Sequence, residues 1–215
     1  TSRGILTHKD SWIVKIWNVH DPATVGLGEC SVLHGLSPET DVNLVEVFDH
    51  LISTLNHTGK MVEKIPDNLP AVKFCFETAL RDLQSGGSRI LYPSEFTAGQ
   101  ASIPINGLIW MNDIDSMLAE FNQKINEFSC IKIKVGALNR KDEVSFLQKL
   151  RSSHGFDFEI RLDANEAFEP DEALSFLKEI EPLNIHSIEQ PIKRNRWLEM
   201  SQLVRSSPIK IALDE

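Results

Sequence analysis

Two lysines, Lys132 and Lys134, stand two apart in the short apolar run 130–135, which closes on Gly136. The next three apolar runs each end on a carboxylate: Asp163 in Asp163-Ala164-Asn165, Glu189 in Glu189-Gln190-Pro191, and Asp214 in Asp214-Glu215. In an extended strand, residues two apart share a face, so both lysines point the same way. Carboxylates gathered from neighbouring strands repel one another and raise each other's pKa unless a cation joins them. Oxygen donors of this kind suit a hard divalent ion, magnesium above all, with manganese the other choice. Such an ion can clamp a substrate carboxylate and stabilise the enediolate left when the adjacent carbon loses a proton. The base must then stand beside the ion, and Lys134 is the residue placed for it. A free lysine titrates near ~10.4, and both a cation and the like-charged Lys132 would lower that value.

Each piece also has a plainer reading. A lone Lys-x-Lys pair is usually a solvated strand edge, and a lone Asp at a strand end often caps the following helix. Asn165 is either a group facing the substrate or such a cap, and Asp214 alone could be a surface residue. The coincidence over four successive runs, each carrying the right group at the same end, favours the joint catalytic reading. Gly26-Leu27-Gly28 offers no competing nucleotide site, because the third glycine and the helix start are missing.

The elements that must position these groups alternate. From Ser102 onward, strands are expected at 103–110, 130–135, 158–164, 185–190 and 209–214, with helices near 113–127, 141–153, 170–181 and 196–205. This is the grammar of βα units in a parallel sheet. An open doubly wound sheet and a closed (β/α) barrel both suit it. The charged groups at the carboxyl ends of successive strands favour the barrel, whose active site is built there. Before Ser102 the pattern differs. Strands 11–19 and 25–30 read as a hairpin broken at Asp21-Pro22. Ser37-Pro38 reads as the N-cap and first residue of a helix carrying Leu44, Phe48 and Leu51 on one face. A second helix is expected from Pro70 to Leu83, ended by Gly86-Gly87. The expected organisation is an α+β domain over 1–101 followed by the first part of a barrel over 102–215.

The chain has 215 residues and a net charge of -9, which argues against nucleic acid or an anionic membrane as the main partner. A small carboxylate substrate met by local lysines remains compatible, and a homo-oligomer stays open. Cys30, Cys75 and Cys130 are odd in number and lack metal-ligand spacing, so reduced thiols in a cytoplasmic protein are expected. No apolar run approaches a membrane span and no signal peptide opens the chain. Because the first residue is Thr1 rather than Met, the amino terminus is read as trimmed.

Lys132-x-Lys134, Asp163-Ala164-Asn165, Ile188-Glu189-Gln190-Pro191 and Leu213-Asp214-Glu215 resemble the motifs of the enolase superfamily, in its muconate-lactonising subgroup. That superfamily uses a Lys or His base with Mg²⁺, and the resemblance implies an α+β capping domain before a modified barrel. Thr1-Ser2-Arg3-Gly4, Gly28-Glu29-Cys30, Gly35-Leu36-Ser37-Pro38-Glu39, Ile103-Pro104-Ile105-Asn106-Gly107 and Ser187–Ile192 resemble the o-succinylbenzoate synthase family of menaquinone biosynthesis. The implied reaction is the Mg²⁺-dependent dehydration of 2-succinyl-6-hydroxy-2,4-cyclohexadiene-1-carboxylate, a carbon–oxygen lyase step. Lys134 would be base and then acid, Lys132 its electrostatic partner, and Asp163, Glu189 and Asp214 the metal ligands. Asn165, Arg3, His34 and Ser37 are the candidates for substrate contact, and Glu215 for orienting Lys132. The resemblance also implies a second lysine and three further strands after Glu215. An N-acylamino acid racemase or dipeptide epimerase is the alternative activity, and an inactive binding module the alternative class.

Overall fold

Buried and exposed residues alternate along β1 (Ser11–Asn18), setting Val14 and Ile16 on one packed face. In the computed structural model, which describes residues 7–60 and 65–214, β1 pairs antiparallel with β2 (Asp21–Ser31). Asp21 and Pro22 therefore belong to the second strand rather than to a break. Proline is tolerated there because the start of an edge strand does not need its N–H.

The helix expected to start at Ser37-Pro38 begins later. Helix α1 spans Leu44–Thr58, and the Asn43 side chain accepts from the Glu46 N–H as its cap. Ser37 instead closes a turn, its Oγ accepting from Leu33 N at 3.0 Å while its carbonyl accepts from Thr40 Oγ1 at 2.7 Å. Helix α2 (Pro70–Gln84) starts on proline as expected and buries Val72, Cys75, Phe76 and Ala79 completely. It can press this closely on β2 because Gly26 and Gly28 have no side chains. A Cβ on Gly26 would lie 2.0 Å from the Ala79 carbonyl oxygen, and one on Gly28 would lie 1.8 Å from that of Cys75. At the far end of α2, buried Asp82 accepts from Leu27 N and Arg89 N, both at 2.8 Å, and pairs with the Arg89 guanidinium. Burial works against the Asp82 carboxylate, but these donors outweigh it and hold its pKa below the usual carboxylate range.

The chain divides into two compact units, with the boundary between Ile103 and Pro104. In the second unit β3 (Gly107–Ile109), β4 (Cys130–Lys134), β5 (Glu159–Asp163), β6 (Ser187–Glu189) and β7 (Lys210–Ala212) form one parallel sheet. Strand order follows chain order, β3-β4-β5-β6-β7, with no reversal. A doubly wound sheet reverses at its switch point, whereas a (β/α) barrel adds each strand beside the last. The first strand is shorter than expected, because 101–105 runs as exposed chain, Pro104 lacks a ladder donor, and Ile103 and Ile105 find no packed face.

Helices α3 (Ile114–Lys124), α4 (Arg140–His154), α5 (Pro170–Ile180) and α6 (Trp197–Ser206) alternate with these strands. Their starts are written locally. Asp113 and Asn139 cap α3 and α4 through their side chains, and Glu169 with Glu172 forms a reciprocal capping box on α5. Ile131, Ile133, Ile160, Leu162 and Ile188 are all buried and join Phe121, Leu147 and Phe176 in one core. Burying each such side chain contributes roughly 2 kcal/mol. The opposite parity, Lys132, Lys134, Arg161, Asp163 and Glu189, is thereby committed to the other face. No helix among the described residues is long and apolar enough to cross a membrane.

Candidate active site

Register brings the charged groups together. Parallel pairing aligns Lys134 with Asp163 and Asp163 with Glu189, so these three stand at one level on one face. Lys132 sits one step lower, opposite Arg161, and its flexible stem lifts the ammonium to that level. Its Nζ donates to Glu189 Oε1 and Oε2 at 2.8 and 2.7 Å and lies 3.0 Å from Asp163 Oδ2. Lys134 Nζ donates to Asp163 Oδ2 and to Asn165 Oδ1, both at 2.6 Å.

Asp163 is the pivot, with 1% of its surface exposed. Burial alone would raise its pKa, but Lys134 and Lys132 outweigh burial and hold the carboxyl below its usual range. Burial likewise works against the Lys132 ammonium, yet Glu189 and Asp163 keep its pKa above that of an ordinary lysine. Lys132 thus stands beside Lys134 with its ammonium held by Glu189 and Asp163.

The strand ends that carry these groups are strained. Asn165, Glu166 and Gln190 adopt φ of 42°, 68° and 39°, a region that non-glycine residues enter at a cost of order 1 kcal/mol or more. The turn after Asp163 is held by the Asn165 N–H, which donates to Asp163 Oδ1 at 3.1 Å. Asn165 thus serves the two neighbouring functional groups at once. Buried Gln190 accepts from the Asp214 N–H at 3.1 Å and donates to the Ile192 carbonyl at 3.0 Å, tying the end of β6 to the chain after β7. On the other side, Gly136 N and Leu138 N donate to Glu143 Oε1 at 2.7 and 3.1 Å, fixing the turn that follows Lys134. Burial pushes the Glu143 carboxyl up, against those backbone donors. Sequence reasoning picks out neither Gln190 nor Glu143 as a support. The only signal for Glu143 is an acidic residue in a first helical turn, which many helices share.

The three candidate metal ligands stand at the ends of, or just after, adjacent strands, without forming one close group. Among the described residues no three His, Cys, Asp or Glu side chains are gathered closely enough to hold a metal ion. Asp163 and Glu189 meet through Lys132, and Asp214 lies exposed two residues past Ala212, the register partner of Glu189. The two lysines meet Asp163 and Glu189, which would otherwise repel each other. The donors still fit a hard divalent cation in kind, since Asp163, Glu189 and Asp214 offer only oxygen and close neighbouring strands of one sheet.

Arg3 and Glu215 lie outside the described residues. His34 is exposed, and Ser37 is engaged in its own turn; both belong to the first compact unit. The thiols are free as expected; Cys130 is half-buried, with its Sγ donating to Glu159 Oε1 at 3.4 Å. Burial pushes the thiol pKa of Cys30 and Cys130 up to about 11 and that of Cys75 to about 12.

The family profile described as enolase C-terminal domain-like matches residues 116–215. Along its whole length the chain is 35% identical to the o-succinylbenzoate synthase of Desulfotalea psychrophila, of which it covers 67%. The chain belongs to the enolase superfamily. The crystal structure of MenC from Desulfotalea psychrophila superposes on 97% of the chain, and on 66% of its own length, with a TM-score of 0.78 at 32% identity. Within the superfamily, the D-Ala-D/L-Ala epimerase of Cytophaga hutchinsonii is 29% identical over the whole chain, which covers 60% of that protein. The fold alone is shared with the o-succinylbenzoate synthase of Thermosynechococcus elongatus, at 22% identity and a TM-score of 0.70 over 96% of this chain and 68% of that one. The chain thus spans between 60% and 67% of the length of the two curated relatives.

Proposed function

We propose that this chain carries the proton-abstracting half of an o-succinylbenzoate synthase, which removes water from 2-succinyl-6-hydroxy-2,4-cyclohexadiene-1-carboxylate to give 2-succinylbenzoate. The observation that carries this reading is the pair of lysines on one strand face, locked to Asp163 and Glu189 at the carboxyl end of a parallel sheet. The 35% identity to the Desulfotalea psychrophila enzyme supports this substrate over others.

In this mechanism Lys134 Nζ takes the proton from the carbon bearing the ring carboxylate. The resulting ammonium returns that proton to the departing hydroxyl, which leaves as water, so one residue is base and then acid with no net proton change. Asn165 Oδ1 holds Nζ in place from one side, and Asp163 from the other. Lys132 neutralises Glu189 and Asp163 and adds positive potential where the enediolate's negative charge develops. Asp163, Glu189 and Asp214 would hold a divalent cation, Mg²⁺ or Mn²⁺, which supplies the main counter-charge to the enediolate when bound.

A second reading is favoured by the whole-length similarity to a D-Ala-D/L-Ala epimerase: the same proton abstraction applied to a dipeptide or N-acylamino acid. The two separate in one assay. The full-length protein with Mg²⁺ is given the cyclohexadiene carboxylate, an N-succinylamino acid and a dipeptide, and kcat/KM is compared. The expected result is the larger value for dehydration; a much larger value for either amino-acid substrate would replace the proposal with the second reading.

A further inference from the structure

Trp110 follows the last residue of β3 and exposes 51% of its surface. Along this strand Gly107 and Ile109 are buried toward the helices, so Leu108 and Trp110 take the opposite parity. Leu108 is the register partner of Lys132, and Ile109 that of Ile133, so Trp110 stands one step beyond the last pair, beside Lys134. The geometry agrees: Lys134 Nζ lies 5.9 Å from the centre of the indole ring.

The site's described chemistry is otherwise ionic. Lys132, Lys134, Asp163, Glu189 and Asn165 satisfy one another through hydrogen bonds and ion pairs, and none offers an extended apolar surface. A carboxylate substrate with a ring or apolar side chain has two unlike parts, a charged group and a hydrophobic body. The cluster meets the first part only. A half-exposed indole at the rim of the base supplies the second, because a tryptophan face is large, rigid and attractive to flat rings.

We propose that Trp110 is a substrate-positioning residue: its exposed ring takes the apolar ring of the carboxylate substrate and holds the reacting carbon against Lys134. This deepens the proposed dehydratase reading and rests on it for the identity of that ring. The interaction acts on placement. Trp110→Ala should therefore raise KM and lower kcat together, reducing kcat/KM by roughly threefold to tenfold in all, the size of one lost aromatic contact. Trp110→Phe should recover most of both, since a smaller ring still stacks.

The test uses the full-length protein with Mg²⁺. Steady-state kinetics of wild type, Trp110→Phe and Trp110→Ala are measured on the cyclohexadiene carboxylate, on an N-succinylated phenylalanine and on an N-succinylated alanine. Binding of 2-succinylbenzoate is followed in parallel by tryptophan fluorescence, and folding is checked by circular dichroism. The expected result is a loss in Trp110→Ala on both ring-bearing substrates and little change on the alanine derivative, with a fluorescence change on binding that Trp110→Phe lacks. If wild type favours an amino-acid substrate, the dehydratase reading fails, while a ring-selective loss on the phenylalanine derivative still supports Trp110. An equal loss on all three substrates, or unchanged kinetics in a folded Trp110→Ala protein, overturns the proposal. If Trp110→Ala does not fold, Trp110→Phe decides alone: an unchanged fluorescence response to 2-succinylbenzoate overturns it.

Discussion

Replacing Gly28 by alanine tests how closely α2 must approach β2. The added Cβ would sit 1.8 Å from the Cys75 carbonyl oxygen and 2.8 Å from its carbon, both main-chain atoms that cannot rotate away. Restoring a 3.0 Å approach moves strand and helix apart by about 1.2 Å. A gap of that size forfeits a quarter to a half or more of the dispersion energy of the atoms facing it. Those atoms belong to the helix face of Val72, Cys75, Phe76 and Ala79, all completely buried. Overpacking usually costs about 1–3 kcal/mol, and a rigid backbone-to-backbone clash belongs at or above the upper end, so a loss of about 3 kcal/mol is expected. Gly59 is the control: it ends α1 at φ 66° with nothing within 4 Å of where a methyl would stand, so Gly59→Ala should lose only about 1 kcal/mol, from backbone conformation. Urea unfolding followed by the fluorescence of Trp12 and Trp17, which lie on β1, reads both variants. With a slope near ~2 kcal/mol per molar, the midpoints should fall by about 1.5 M and about 0.5 M. Equal losses in the two variants would refute the close-packing argument.

Three further outcomes are expected. Lys134→Ala in the full-length protein should reduce exchange of the substrate α-proton with D₂O by at least about a thousandfold while Mn²⁺ binding, read by calorimetry, stays within a few-fold; Lys132→Ala should retain measurable exchange, and the reverse order would exchange their roles. Chelation should abolish turnover, and added Mg²⁺ or Mn²⁺ should restore it; undiminished activity in metal-free buffer would contradict the carboxylate assignments. Asp82 has a depressed pKa in the folded state, so the unfolded chain takes up its proton first, and this stabilisation is complete above about pH 4 and lost as pH falls further. Asp82→Asn should therefore be less stable at neutral pH but show a shallower loss between about pH 4 and pH 2 in urea midpoints, and parallel curves would show that Asp82 carries no such linkage.

The period-two runs and their terminal charges are readable from sequence because they obey local rules. Lys132, Lys134, Asp163 and Glu189 share a face once each run is taken as a strand, and the pairing register then stacks them. What stays hidden depends on partners distant in the chain. The helix start at Leu44 rather than Pro38 is settled by Asn43 capping Glu46 and by Ser37 bonding back to Leu33. The lysine–carboxylate pairing is equally out of view, because a terminal carboxylate reads the same whether it awaits a cation or meets an ammonium. Gly26-Leu27-Gly28 fails as a nucleotide motif, and its glycines instead mark where the α2 backbone passes. Trp110 closes an expected strand unmarked, since nothing in a single strand announces which ring its neighbour's lysine will face.

The unreversed strand order has a consequence for how the molecule comes into being. Each strand of the second unit hydrogen-bonds to the strand made just before it, so the sheet can grow in step with synthesis, without waiting for a distant segment. Charge is acquired on the same timetable. Lys134 meets Asp163 after 29 residues, whereas the Lys132–Glu189 bond spans 57. A nascent chain that has emerged only through β4 carries two adjacent ammonium groups and no answering carboxylate from the later strands. Pairing of β5 and then of β6 brings in the answering carboxylates one after the other.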